Sequence, residues 1–430
     1  MTRGEKRPRE LDIAGIEGEG NSVITQDLNN RLFFSSEEKE GAEEMYKNSI
    51  IPMFTTPTTK LGGYQFFRDV LKSPKHVVAP MIDHTFLAFR MLCRKYGADL
   101  VYTPMFHSKN YATNATYRLE NFEIAKEDRP LVVQFCGNEV DYIVQAAKMV
   151  ESQCDAVDLN LGCPQGIARR GNYGAFLLEK PDVILPMVRA LHKELSVPIF
   201  CKIRLLPNLD DTIKLALQLQ EAGCQLLTVH GRTKEQKGHT QPHANWKAIR
   251  AIKEALVIPV IANGSVGEWG DIEECLKETG ADGVMSADGI LNNPAMFNGA
   301  ERIGSTTLCR EYLEMVKKYP TPYQIVRSHF YKMLKKECEH YEDLRDKLAH
   351  LYEMPQFYDI LEEIDRRYRE NVPKIRTITN KEKREQKKLE LESTSTETTE
   401  TTTTTTDNQT TTTNLTTTEQ QKDELLTTDK

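Results

Sequence analysis

Cys163 sits in the run NLGCPQGIARRGNYGAFL, three residues after Asn160 and six before the pair Arg169-Arg170. A thiol in that setting can act as an acid, as a nucleophile or as inert packing. It acts as an acid only if it keeps its proton until the moment of transfer. A lone cysteine at the end of an apolar run is usually packing, but the neighbouring asparagine and arginines favour a chemical role here. The pattern recurs along the chain, where apolar runs end on Pro80-Met81, Gln134, Asn160, Cys163, Lys202, Arg204, His230, Asn263-Gly264 and Ala287-Asp288. Buried polar groups are costly without partners. One such residue is structural by default, whereas a set gathered at one mouth points to a ligand.

The charges suggest which ligand. Lys202, Arg204, His230 and Arg232 are cationic or can become so, which suits an anion or an electron-rich ring. Gly264, Gly267 and the Ala287-Asp288-Gly289 turn allow close backbone approach, as phosphate sites in barrels require. A phosphorylated flavin would set its phosphate there and lay its ring across the strand ends. Lys202 beside the N1–C2 edge would then stabilise negative charge on the ring, and Gln134 could offer both a donor and an acceptor to the pyrimidine edge.

Positioning such a set requires strands that converge. Eight short apolar runs, His76–Met81, Leu100–Met105, Leu131–Cys136, Ala156–Cys163, Val197–Leu205, Gln225–Gly231, Ile258–Ser265 and Gly283–Ala287, read as parallel strands buried on both faces. Between them Ile143–Gln153, Thr212–Ala222 and Trp246–Ala255 carry apolar residues at helical spacing, with Gly223 and Gly280 at expected C-caps. The expected fold class is α/β, a (β/α)8 TIM barrel over residues 59–305. A doubly wound open sheet is disfavoured, because no G-x-G-x-x-G follows the first strand and there is no P-loop. Residues 306–372 read as a small all-helical domain punctuated by Pro320, Pro322 and Pro355, with Arg327, Lys332 and Lys335 close to one helical face.

The two ends differ from this middle. Residues 1–58 lack periodicity, and residues 373–430 are threonine-rich and of low complexity, so both read as disordered tails. No run is long enough for a membrane helix, and MTRGEKRPRE is no signal peptide, so an intracellular, cytoplasmic protein is expected. Lys6-Arg7-Pro8-Arg9 is a candidate nuclear signal. The nine cysteines lack any C-x-x-C spacing and read as reduced thiols; no metal centre is expected. A net charge of -7 argues mildly against a polyanion, but the run Arg366 to Lys388 is densely basic. It suits a nucleic acid and a solvated helix end about equally.

The stretches VAPMIDHTFLAFR, YTPMFHSK, DRPLVVQFCGN, DAVDLNLGCPQGIARRGNYGAFL, VPIFCKIRL, GCQLLTVHGRTKEQKG, IPVIANGS and GVMSADGILNNPAMF resemble, in order, the flavin-dependent tRNA-dihydrouridine synthases of the eukaryotic 16/17 type. The resemblance spans about residues 60 to 300. It implies FMN as cofactor, NADPH or NADH as reductant, tRNA as partner, and a helical domain that helps grip the tRNA. A monomer is expected. By the same resemblance Pro80, Met81 and Ile82 line the flavin, while Gln134, Lys202 and His230 contact its ring. Asn263, Gly264, Ser265, Ala287 and Asp288 hold its phosphate end. Cys163 is the proton donor to uracil C5, and Asn160, Arg204, Arg170 and Arg232 bind substrate. The family often has asparagine where Ser265 stands and glutamate where Asp288 stands, a shorter acid here. Two other readings stay open: a flavin barrel that reduces a free pyrimidine or enone, and a barrel that binds RNA without catalysis.

Overall fold

A computed structural model describes residues 60–238 and 241–375. Eight parallel strands close into one barrel in chain order: β1 (His76–Val78), β2 (Leu100–His107), β3 (Leu131–Cys136), β4 (Ala156–Leu161), β5 (Ile199–Arg204), β6 (Leu227–His230), β7 (Val260–Asn263) and β8 (Gly283–Ser286), with β8 paired back onto β1. This is the barrel expected from the sequence, with several strands shorter than expected. β1 stops at Val78 because the chain turns after Pro80, where Thr85 donates to the Met81 carbonyl through both N–H and Oγ1. β2 runs on to His107 with a register shift between Tyr102 and Met105, around Pro104, which has no N–H for the ladder.

Alternation along the strands separates two apolar layers. Val77, Leu100, Val132, Ala156, Phe200, Ile261 and Met285 point inward. Phe66 and Phe67 of the helix Gly63–Asp69 pack on this inner layer, Phe66 edge-on to Phe200 at 6.1 Å. The outward neighbours Val78, Val101, Val133, Val157, Ile203 and Val229 meet the surrounding helices. These include Val140–Lys148, Leu209–Glu221, Trp246–Ala255 and Trp269–Thr279, the last closed by Gly280 at φ 64° as its glycine suggests. The helix expected to reach Gln153 ends at Lys148, and Glu151–Gln153 forms a separate 3-10 turn.

Helices Ser305–Lys318, Tyr323–Met333, Lys335–His340, Asp343–Ala349 and Met354–Arg369 follow the barrel and share its outer core. They dock on the helix Leu87–Lys95, where Phe89 stacks on His329 at 4.2 Å and meets Tyr312 edge-on at 6.3 Å. His329 Nε2 lies 2.9 Å from the His84 carbonyl, and Ser328 Oγ lies 3.1 Å from His84 Nε2. The loop after β1 is thus fastened to the helical block. The run YQIVRSHFYKMLKKECEH breaks at Leu334, so Lys335 leaves the helix that carries Arg327 and Lys332. Arg367 is buried against Asp343 and Glu363 and adds nothing to a basic surface. The rest of the basic run, from Arg376 on, lies outside the described residues. So do the expected tails, apart from Pro373–Ile375, where the Ile375 carbonyl accepts from Glu342 N–H at 3.0 Å.

One buried carboxylate ties the loop after β1 to the approach to β3. Asp128, fully buried, accepts from Arg90 Nε at 2.8 Å and Arg94 Nε at 2.9 Å. Arg90 in turn holds the Thr85 and Glu123 carbonyls at 2.7 and 2.6 Å. Asp128→Ala would leave two guanidinium groups without their counter-charge, at a cost of about 3–5 kcal/mol. Urea unfolding of wild type and variant measures that loss; a difference below about 1 kcal/mol would show that the pair is dispensable.

Candidate active site

The parity that puts Val132, Ala156, Phe200 and Ile261 inside the barrel also turns Gln134, Asp158, Asn160, Lys202, Arg204, His230 and Asn263 inward, nearer the C-terminal strand ends. The strand register sets them side by side: Gln134 opposite Asp158, Asn160 opposite Lys202, Arg204 opposite His230, and His230 opposite Asn263. The fold therefore gathers most of the expected set around one mouth.

Two hydrogen-bonded groups occupy that mouth. On β3 and β4, Gln134 Nε2 donates to Asp158 Oδ2 at 2.8 Å, and Asn160 Nδ2 donates to Gln134 Oε1 at 2.8 Å. On β5 to β7, Lys202 Nζ donates to Asn263 Oδ1 at 2.9 Å, and Asn263 Nδ2 donates to the Met285 carbonyl at 2.9 Å. Burial pushes Lys202 down to about 8, with Arg204 adding to the shift and Asp158 opposing it. Burial also lifts the Asp158 carboxyl to about 7, and its Oδ1 has no hydrogen-bond partner. Burial, then the charges of Lys202, Arg204 and Arg232, holds His230 far below its ordinary range and so neutral. Arg232 Nη1 lies 3.0 Å from His230 Nε2. A guanidinium can only donate, so the imidazole hydrogen is on Nδ1.

Positive charge therefore outweighs negative inside the mouth. Lys202, Arg204 and Arg232 stand against one carboxyl that burial drives toward its neutral form. Two Lys202 ammonium hydrogens and His230 Nδ1–H remain for a ligand, since the hydrogen bonds above use only one Lys202 hydrogen and His230 Nε2. An anionic or electron-rich ring fits this donor set.

Beyond β7 the chain is shaped for close approach. Gly264 has φ 104°, and a Cβ there would stand 2.8 Å from His230 Cδ2. Ser265, at φ 58°, accepts on Oγ from Arg232 Nη2 at 2.8 Å and Ala244 N–H at 2.9 Å. A Cβ on Gly289 would stand 2.8 Å from the Val266 carbonyl, so the turns after β7 and β8 touch where only glycine fits. Backbone that approaches this closely at the strand ends can cradle a phosphate.

Of the nine cysteines, all free, eight are buried and Cys163 alone is partly open. Its N–H donates to Asn160 Oδ1 at 2.9 Å, and its side chain packs beside Cys136, Ala168 and Tyr173. Its carbonyl accepts from Ala175 N–H at 3.1 Å. Gly174, at φ 66°, lets the chain pass so close that a Cβ would fall 2.7 Å from that carbonyl.

Other expected site residues stand apart from these two hydrogen-bonded groups. Arg204 turns to backbone carbonyls: Gly162 at 2.9 Å from Nε, and Thr233 and Gln236 at 2.9 and 3.2 Å from Nη1. Pro80, Met81 and Ala287 are half-buried and Ile82 is exposed at the ends of β1 and β8. Asp288 is 80% exposed, 4.0 Å from Lys332 Nζ. Arg170 is exposed at the end of the short helix Gly166–Arg170 and does not join the inner set. Two residues escaped the reading of the sequence. Asp158 could have been found as an acid in an apolar strand, two places before Asn160 and so on the same face. Gly174 could have been found only as the glycine of NYG.

A family model described as dihydrouridine synthase matches residues 77–395. A mouse (Mus musculus) protein described as a tRNA-dihydrouridine(16/17) synthase, NAD(P)(+)-like, is 48% identical over 292 residues, which cover 67% of this chain and 61% of that protein. A Saccharomyces cerevisiae tRNA-dihydrouridine(16/17) synthase is 44% identical over 305 residues, 67% of this chain and 72% of its own length. A human tRNA-dihydrouridine(20a/20b) synthase-like protein is 37% identical over 263 residues, 60% of this chain and 82% of its own. The chain spans 61% of the mouse relative's length and 66% of a rat one's.

Proposed function

The chain belongs to the dihydrouridine synthase family, and we propose that it reduces the C5–C6 double bond of uridine in tRNA, at D-loop positions 16 and 17. The observation that carries this reading is Cys163, the one partly open thiol, held by its backbone beside a cation-lined barrel mouth. A flavin such as FMN, held by the residues of this mouth, would supply the hydride for uracil C6, with NADPH or NADH as the source of its electrons.

The chain's own residues do the rest. Lys202 and His230 would donate to the ring edge, and the Lys202 ammonium would balance negative charge there. Asn263 aims the Lys202 ammonium, and Gly264, Ser265 and the turn after β8 would hold the phosphate. Asn160 keeps one amide hydrogen for the uracil, and Arg204 keeps its Nη2 group, while Arg204 Nε holds the Gly162 carbonyl beside Cys163. Cys163 Sγ gives its proton to C5 and recovers one from solvent, so one hydride and one proton saturate the bond. The base must leave its stack to reach the mouth, which favours loop positions already partly unstacked. The helices after Ser305, fastened to the loop after β1, extend the surface available to the tRNA beside the mouth.

Purified full-length protein should be yellow with bound flavin. With NADPH it should convert uridine in tRNA while leaving free uracil and uridine unchanged, and tRNA from cells lacking the protein should lose dihydrouridine at 16 and 17. Equal rates on free uridine would replace this reading with a free-pyrimidine reductase. A colourless protein that binds tRNA would replace it with a binding barrel.

A further inference from the structure

Asp158 touches nothing in the reaction proposed above, yet a run of buried hydrogen bonds starts at its carboxyl and ends on the backbone of Cys163. The direction of the run is fixed from its far end. Gly162 and Cys163 each present an N–H to Asn160 Oδ1, at 3.1 and 2.9 Å. Two backbone donors admit only the oxygen of that amide, so Asn160 Nδ2 faces the other way, 2.8 Å from Gln134. A donor there requires Gln134 Oε1, which turns Gln134 Nε2 onto Asp158 Oδ2 at 2.8 Å. Gln134 and Asp158 are fully buried and Asn160 nearly so, leaving no solvent to satisfy a flipped amide.

We infer that Asp158 is a positioning residue, the terminal acceptor that orients the Gln134 and Asn160 amides and through them holds the Gly162–Cys163 backbone. The inference rests on the reading of Cys163 as the reacting thiol. It assigns Asp158 an accepting oxygen and not a charge. A rival role, in which the carboxylate offsets the Lys202 ammonium, would need the charge itself.

Substitutions separate the two. Asp158→Asn keeps an acceptor facing Gln134 and removes the charge, whereas Asp158→Ala removes both. Gln134→Glu removes the amide donor facing Asp158 and sets two carboxyl groups face to face, which weakens the run, most of all at the alkaline end of the range, where both ionise. Adding Asp158→Asn to Gln134→Glu restores it in reverse: the new amide at 158 donates, and the new carboxylate at 134 accepts from both 158 and Asn160.

The measurement is alkylation of Cys163 by iodoacetamide in the full chain, without reductant or tRNA, from about pH 6 to about pH 10, read by peptide mass. Wild type, Asp158→Asn and the double variant should agree within about twofold, while Asp158→Ala and Gln134→Glu alkylate about fivefold faster as the loop loosens. A wild-type profile for Asp158→Ala would overturn the inference. So would an Asp158→Asn profile matching Asp158→Ala, or a double variant no closer to wild type than Gln134→Glu. Alkylation needs no turnover, so the expected pattern in a protein that fails to reduce tRNA would refute the proposed function and leave the positioning role standing.

Discussion

Cys163→Ala should leave a folded, flavin-binding chain whose formation of dihydrouridine in tRNA falls by about 10²- to 10⁴-fold, the range typical of a lost general acid. The fold should survive because the loop is held by backbone groups that alanine retains: the N–H on Asn160 and the carbonyl on Ala175 N–H. The side chain is partly open and rests on Ala168 and Tyr173, so its removal opens no sealed cavity. Reduction of the bound flavin by NADPH should proceed as in wild type, since the proposed reaction uses the thiol only when C5 takes its proton. Stopped-flow absorbance separates the two half-reactions. Native-rate modification by the alanine variant would assign the proton to another donor.

Gly174→Ala should lower the same activity by about 10- to 100-fold through its effect on Cys163 alone. The new Cβ would lie 2.7 Å from the Cys163 carbonyl and 3.0 Å from its Cβ, so the thiol must move. Displacement of a reacting group by about 1 Å can cost about 10²-fold in rate. Left-handed backbone adds a penalty of its own, of about 1–3 kcal/mol. Gly63→Ala is the matched control: Gly63 has φ 50°, and no heavy atom lies within 4 Å of its Cβ position. Both variants should melt lower than wild type, and only Gly174→Ala should lose turnover. Equal turnover in the two would mean that the approach of Gly174 does not place Cys163.

The strands were legible because burial on both faces leaves them as unbroken apolar runs, and their polar ends then mark the mouth. Lys202, His230, Asn263 and Gln134 follow from that rule and meet in the barrel as expected. Arg204 shows where the rule stops. Composition places a cation at the strand end, but only the fold turns its guanidinium onto the carbonyls of Gly162, Thr233 and Gln236. Asp158 was hidden because its meaning depends on parity: one residue earlier or later it would face the outer helices and read as a surface charge. The break at Leu334 was equally hidden, since no glycine or proline marks it and the turn is imposed by packing of Leu334 in the core shared with the barrel. In sequence Arg367 reads as part of a basic cluster, but in the fold Asp343 and Glu363 enclose it.

The docking of the last helices on Leu87–Lys95 also bears on how the chain is made. Phe89 leaves the ribosome more than two hundred residues ahead of Tyr312 and His329, the rings that cover it. At about 5–20 residues per second its apolar face waits roughly 10–50 s for cover. β1 waits almost as long for β8, its closing partner. Both seams belong to the βα unit of β1, so the nascent chain leaves apolar surface there uncovered until β8 and the last helices emerge, a surface suited to a ribosome-associated chaperone.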